Sequence, residues 1–386
     1  MGMSSPPQSA VFELTRELIG RASITPDDAG CQELIGQRLR AAGMQVESVD
    51  VGEVKNLFAY HGSGAPHLML LGHTDVVPPG PLSNWSSQPF APQVRDGMLY
   101  GRGTADMKSS VAAFVLALEA FIEHHRQHPG TVSLLLTSDE EGVAEHGVRA
   151  VVPVLEQRGW LPDACLVGEP SSLEQLGDNL RIGRRGSIQA RLLIRGRQGH
   201  TAYANPEDNP IHRAGKLLAA LADLDFDDGD EFFPPTRLQM SNIHAGTGAD
   251  NVTPGELELM FNIRNNPNTT SQALETRIRD LIEQLRVGDW QLHWRVSGEP
   301  FGPASGDLLD AVVEACRRNL DLEPRLDTGG GTSDGRFLGP RGIPVIELGP
   351  VNRTIHQVDE CIRVADLEKL PGLYQTIVER YLELAG

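Results

Sequence analysis

The feature that most constrains this chain is a set of short, almost wholly apolar runs, each followed by an acidic residue or a histidine. HLMLL (67–71) leads to His73 and Asp75, and TVSLLLT (131–137) to Glu140 and Glu141. ACLVG (164–168) leads to Glu169, and IPVIEL (343–348) is followed a few residues later by His356. Runs of about four to eight apolar residues without alternation mark strands buried on both faces, the condition of a parallel sheet covered by helices. The segments around them read as those helices. Phe12, Leu14, Leu18 and Ile19 form one stripe, Leu34, Ile35, Leu39 and Met44 another, and VAAFVLALEAFI (111–122) is apolar nearly all round, so buried. The alternation predicts an α/β domain with a largely parallel central sheet.

The middle of the chain has a different rhythm. SIQARLLI (187–194) alternates like a strand, 210–224 reads as a helix, 238–245 and 256–264 as strands, 271–285 as a helix and 290–296 as a strand. The order βαββαβ is that of a ferredoxin-like α+β domain. A length of 386 residues also exceeds the roughly 250–300 that one core sustains. The expected organisation is an α/β domain in two parts, 1–182 and 299–386, interrupted by an α+β domain at 183–298.

Charge and composition narrow the partners. Against 34 Lys and Arg stand 52 Asp and Glu, a formal charge of −18; phosphate binding needs clustered cations, so nucleic acid is not an expected partner. No apolar run approaches the ~18 residues of a membrane span, and MGMSSPPQSA lacks a basic stretch leading into an apolar one, so neither membrane nor leader is expected. Cys31, Cys165, Cys316 and Cys361 are far apart and form no CxxC pair, which predicts small reduced thiols in a cytoplasmic protein.

Ligands of open α/β sheets bind outside the carboxyl ends of the strands. Four strands deliver His73, Asp75, Glu140, Glu141, Glu169 and His356 towards that edge, and Asp106 joins from the Gly-rich turn GRGTADMKSS that opens the buried helix. Singly, each has an ordinary explanation: a hydrogen-bonded histidine, a helix cap, solvated loop acids. Their convergence outweighs it. Two histidines and three carboxylates suit zinc, with manganese or cobalt also admitted. Five ligands exceed one catalytic zinc site and suit two ions sharing a carboxylate, with a neighbouring uncoordinated Glu as general base; the pattern leaves open which of Glu140 and Glu141 that is. Residues i and i+2 of extended chain point the same way, so Asp75 could accept a proton from the far nitrogen of His73.

GHTDVVPPG, DGMLYGRGTADMK, TSDEEG and VGEP together resemble the dinuclear-zinc deacylases and exopeptidases related to aminoacylase and carboxypeptidase G. The resemblance runs from about residue 10 to the C-terminus. It implies a hydrolase with a zinc-exopeptidase-like catalytic domain, an inserted dimerisation domain and two zinc ions per subunit, with cobalt or manganese able to substitute. Asp106 would bridge the ions, His73 and Glu169 completing one shell and Glu141 and His356 the other. Glu140 would be the base and Asp75 the orienter of His73, with a cis peptide after Asp106. His200, in GRQGHTAYAN, would stabilise the oxyanion across a homodimer, with Asn251 beside it.

Three further stretches, RIGRRGSIQARLLIRGRQGHTAYANPEDNPIHRA, GTGADNVTPGELELMFNIR, and GGTSDGRF with ELGPVNRTIHQVDE, resemble the branch of that family acting on an N-succinylated amino acid. That likeness places Arg184, Ser187, Arg264, Gly331, Thr332 and Asn352 around a small substrate with carboxylates at both ends, which arginine pairs in bidentate fashion. The nearer alternative is another member of the family, a deacetylase of acetylornithine or a dipeptidase. A remoter one is a metal-retaining binding protein without activity, against which the presence of every ligand and of Glu140 speaks.

Overall fold

The computed structural model describes residues 9–385, so the leader expectation falls on residues outside those described. The chain forms two compact units, one comprising the segment up to Gly183, Gly302–Asp327 and Ser333 onward, the other Arg184–Phe301 with Thr328–Thr332. The five-residue segment Thr328–Thr332, assigned from sequence to the C-terminal part, joins the second unit because Arg184 Nη1 donates to Gly329 O (2.5 Å) and Thr328 Oγ1 to Phe232 O.

The first unit is built on an eight-stranded sheet. Its middle is parallel: Thr131–Thr137, His67–His73, Ala164–Val167 and Val345–Glu347 lie side by side in that order. The sheet as a whole is mixed, since Asn56–Gly62 and Gln45–Ser48 extend one side as antiparallel strands, and Asn179–Arg181 meets Val345–Glu347 antiparallel before pairing parallel with Arg325–Asp327. The sequence contrast is visible in exposure: every residue of His67–His73 and Thr131–Thr137 is buried, whereas Gln45–Ser48 is mostly exposed. Register then fixes the site. His73 lies opposite Thr137, and Leu71 opposite Val167, which is itself opposite Glu347. The residues that follow therefore emerge at a common edge.

The helix Lys108–His124 packs against Ala10–Ile19, Cys31–Ala42 and Val364–Ala385. Its first residue, Lys108, is fully buried and donates through Nζ to Leu18 O (2.8 Å) and Arg21 O (2.7 Å), pinning the helix start. Just before it, Met107 fills space that Gly72 and Gly168 leave open: a Cβ on either would come within 2.6 Å of its Cε.

The second unit has the βαββαβ order, with sheet order Arg237–Ala245, Glu256–Arg264, Ser187–Arg195, Asp289–Gly298, antiparallel throughout. Alternate residues Ile188, Ala190, Leu192 and Ile194 face a core completed by Leu217 and Leu221 of the helix Pro210–Ala222 and by Leu274, Ile278 and Ile282 of Ser271–Gln284. Asn209 and Thr270 cap the two helices, accepting from Ile211 N and Ala273 N. No helix among the described residues is long and apolar enough to cross a membrane. The four cysteines are unpaired.

Candidate active site

At the carboxyl edge of the parallel strands, Asp106 divides its carboxylate between two histidines. Oδ1 lies 3.2 Å from His73 Nε2 and Oδ2 lies 3.3 Å from His356 Nε2. Around these, Glu169 Oε1 is 3.6 Å from His73 Nε2, and Glu141 Oε1 is 2.9 Å from His356 Nε2. Asp106 stands in its turn because Glu360 collects the turn's backbone: it accepts from Ala105 N (2.8 Å), Asp106 N and Gly103 N (both 3.0 Å), and from Arg102 Nη1 (2.7 Å). The Asp106–Met107 peptide is cis.

The loop after Thr131–Thr137 is shaped from two sides. Asp139 accepts from the backbone N–H groups of Ala144, Glu145 and His146, folding the loop back, and Asp75 accepts from those of Glu140 (3.4 Å) and Glu141 (3.1 Å). This alters the expected part of Asp75. Its main-chain carbonyl, not its carboxylate, takes the Nδ1 proton of His73 at 2.9 Å, and the carboxylate stands 3.6 Å away because it is occupied with the loop. The outcome for His73 is the same: Nδ1 donates to that carbonyl, so Nε2 is the nitrogen that faces Asp106 and Glu169 and the one left to bind a cation. His356 adopts φ +60°, an uncommon left-handed conformation for a non-glycine residue, and is half exposed.

So many carboxylates out of water strain one another. Burial, then the charge of Asp334, pushes Glu140 well above the usual carboxylate range; burial, then Asp106 and Glu140, does the same to Glu169. Burial also acts on Asp106, but His356 and His73 override it and hold it far below that range. In turn Asp106 and Glu141 push His356 up to about 10. Sets of ligand atoms within 4.8 Å of one another occur in His73, Glu140 and Glu169 and in His73, Asp106 and Glu141. Mixed nitrogen and oxygen donors around crowded, buried negative charge fit divalent cations, which would relieve the repulsion the carboxylates impose on one another.

Sequence reasoning did not find Glu360, Arg336 or Asp334. Arg336 Nη1 lies 3.6 Å from Glu140 Oε1 and Nη2 3.7 Å from Asp334 Oδ1, and burial pushes the Asp334 carboxyl up to about 7 against the pull of Arg336. Glu360 and these turn residues sit inside longer stretches of the sequence, and nothing in their spacing announces burial.

Of the other residues singled out from sequence, Asn352 belongs to the first unit, where its N–H donates to Ser172 O (3.0 Å). Arg184, Ser187, His200, Asn251, Arg264, Gly331 and Thr332 belong to the second. There, Arg184, Ser187 and Arg264 share one end of the sheet, with Asn262 Nδ2 3.5 Å from Ser187 Oγ and Ile188 opposite Ile263. His200 lies beyond the far end of Ser187–Arg195, in the short pair of Gly199–His200 with Val252–Thr253. It is exposed, its Nδ1 accepts from Ala202 N (3.1 Å), and Asn251 O accepts from Thr201 N (3.0 Å).

An α/β fold with histidines and carboxylates gathered at the ends of the parallel strands of its mixed sheet fits a metal-dependent hydrolase. The chain belongs to peptidase family M20/M25/M40, whose model matches residues 69–380. It is 57% identical over 374 residues, 97% of this chain and 99% of the other, to a succinyl-diaminopimelate desuccinylase of Xanthomonas campestris pv. campestris (strain 8004). It is 56% identical over 374 residues to that of Stenotrophomonas maltophilia (strain R551-3), covering 97% and 100%. Among solved structures, aminopeptidase PepT from Bacillus cereus superposes with TM-score 0.78 at 20% identity, covering 97% of this chain and 99% of that one. A Bacillus subtilis protein described as a dinuclear metal-binding peptidase of the M20 family superposes with TM-score 0.74 at 16%, covering 97% and 98%.

Proposed function

We propose that this chain removes succinate from N-succinyl-LL-2,6-diaminopimelate, releasing LL-2,6-diaminopimelate for lysine and cell-wall precursor synthesis. The observation that carries the chemistry is the Asp106 carboxylate shared between His73 and His356; the substrate rests on relatives of 56–57% identity over nearly the whole chain. His73, Asp106 and Glu169 would hold one zinc ion, and Asp106, Glu141 and His356 a second. Bound there, the ions would polarise the amide carbonyl and acidify the attacking water. Glu140 takes the proton of that water and passes it to the leaving amine nitrogen. Asp75 keeps His73 in the required tautomer through its carbonyl and holds the Glu140–Glu141 backbone through its carboxylate.

Arg184, Arg264, Ser187, Gly331, Thr332 and Asn352 would receive the substrate's carboxylates and amide, and His200, with Asn251, the oxyanion. Nine residues of extended strand separate the Ser187 end from the His200 end, on the order of 26 Å. That separation supports the reading in which one substrate takes Arg184 and Arg264 from one subunit and His200 from the other. A homodimer is further supported by the edge strand Arg237–Ala245, nearly all of it exposed, with Met240 and Ile243 uncovered. The unpaired cysteines accord with a cytoplasmic setting.

The deciding experiment sets N-succinyl-diaminopimelate against N-acetylornithine with zinc supplied, and counts bound metal. Hydrolysis of the succinyl compound alone, with up to two ions per chain, is the expected result. Equal hydrolysis of both would hand the assignment to a less selective deacylase, because a site built to pair a carboxylate rejects a substrate without one.

A further inference from the structure

Arg336 lies in the short turn Asp334–Phe337, almost wholly buried, with its guanidinium divided between two carboxylates. Nη1 stands 3.6 Å from Glu140 Oε1 and Nη2 3.7 Å from Asp334 Oδ1. Arg336 Nε and both carboxylate oxygens of Asp334 have no hydrogen-bond partner among the described residues. An arginine held by a single carboxylate frequently closes onto it as a bidentate fork. This one does not, although burying a charge that way is costly. Nor does the turn depend on it. Ser333 Oγ donates to Glu347 Oε1 (2.5 Å) and accepts from Gly335 N (3.3 Å), while the Arg336 backbone N–H donates to Ser333 O (3.0 Å). The face of the guanidinium is covered by the aromatic ring of Phe337, whose centroid is 4.7 Å from Arg336 Cζ. What remains for the guanidinium is the Glu140 carboxylate.

We propose that Arg336, aimed by Asp334, is a positioning residue for Glu140, holding the carboxylate where it meets the attacking water and then the amine nitrogen. The proposal rests on the reading of Glu140 as the base. Arg336 exchanges no proton: one leaves the water for Glu140 and the same one passes to the amine. A long, freely rotating carboxylate released from its station by an ångström can lose about two orders of magnitude in rate.

The test is steady-state kinetics of the zinc-loaded enzyme with zinc content measured alongside. Arg336→Ala should lower kcat on the order of 10–100-fold with KM within about twofold and zinc unchanged, as befits an interaction made only at the reacting centre. Added guanidinium, at concentrations far below denaturing ones, should restore part of the lost kcat, and Arg336→Lys should fall between. In a Glu140→Gln background, Arg336→Ala should cost nothing further, since the two act through one group. Full kcat in Arg336→Ala overturns the proposal, as does a rise in KM alone, which would make Arg336 a substrate contact. So does a loss that guanidinium cannot rescue and that adds to that of Glu140→Gln. Should Arg336→Ala not fold, Arg336→Gln against Arg336→Lys reads the same charge, and equal kcat in those two overturns it. Retention of kcat by Glu140→Gln would instead fail the base assignment and the proposal with it.

Discussion

The strand His67–His73 carries a histidine at each end, both buried, and the two ends treat charge in opposite ways. At the amino end, His67 Nε2 lies 2.7 Å from Ser133 Oγ, and the carboxylate of Asp163 is engaged by the His67 backbone N–H at 2.8 Å. Burial pushes that imidazole down to about 4 despite the charge of Asp163. At the carboxyl end burial acts on His73 in the same sense, but Asp106, Glu169 and Asp75 outweigh it and raise the imidazole well above its ordinary range. Residue type and strand are shared and both ends are buried, so the carboxylates at the carboxyl end make the main difference. One end of the sheet is neutral packing; the other crowds together carboxylates that ordinary folding would keep apart, which is the mark of a cation-binding site.

The sharpest way to break this comparison is to remove one carboxylate without removing a ligand. Glu140→Gln should lower kcat on the order of 10²–10⁴-fold, the span of general acid–base catalysis, with zinc content unchanged. Atomic absorption beside a kinetic assay checks both. Loss of an ion would instead make Glu140 a ligand, in keeping with the cluster of His73, Glu140 and Glu169.

Metal removal tests that crowding directly. If cations relieve it, zinc at about 1,000 times its Kd should stabilise the fold by about 4 kcal/mol over the chelated protein, read as a rise in unfolding midpoint. No shift at all would mean that the carboxylates hold no ion.

The amino end makes a prediction of opposite kind. With His67 titrating near 4 in the fold and near 6.5 when unfolded, the unfolded chain takes up the proton first as pH falls. Its contribution is thus complete above pH 6.5 and lost progressively between 6.5 and 4. At about 1.4 kcal/mol per pH unit the interval amounts to roughly 3.5 kcal/mol. His67→Gln, which can still reach Ser133, should remove this slope. The difference between wild type and variant in urea unfolding at pH 7 and at pH 4.5 isolates it from the titrations at the other end.

Much of this was legible in the sequence, and for a physical reason. Strands buried on both faces must be apolar along their length, so the runs at 67–71, 131–137 and 164–168 announce themselves, and polar residues directly after them can lie only at the sheet edge. The alternation in 187–194 was equally plain, because one face of that sheet meets helices and the other does not. The helices Asp307–Leu320 and Val364–Ala385 and the antiparallel outer strands went unread: Gln45–Ser48 is mostly exposed and carries no apolar pattern. Residues that act through backbone geometry were hidden in the same way. Glu360 works by gathering N–H groups from a turn some 255 residues earlier in the chain, a relation no local spacing encodes.

Glu360 supplies the last and smallest expected effect, and the one that most finely separates holding a ligand from being one. Its two oxygens take four donors, three of them backbone N–H groups of the turn that presents Asp106, and it is wholly buried with Arg102. Gln has the same shape but turns one acceptor into a donor facing donors, and it leaves Arg102 without its counter-charge. The turn should then hold Asp106 less firmly between His73 and His356, although none of the residues proposed as ligands has changed. Outer partners of metal ligands typically contribute 10–100-fold to affinity, so Glu360→Gln should weaken zinc binding by about that factor in competition with a chromophoric chelator. Saturating zinc should restore most of kcat, because Glu140 and its setting are untouched. If zinc affinity holds and kcat falls instead, Glu360 tunes the reaction rather than the metal, and the crowding at the carboxyl end would extend one layer deeper than Asp106.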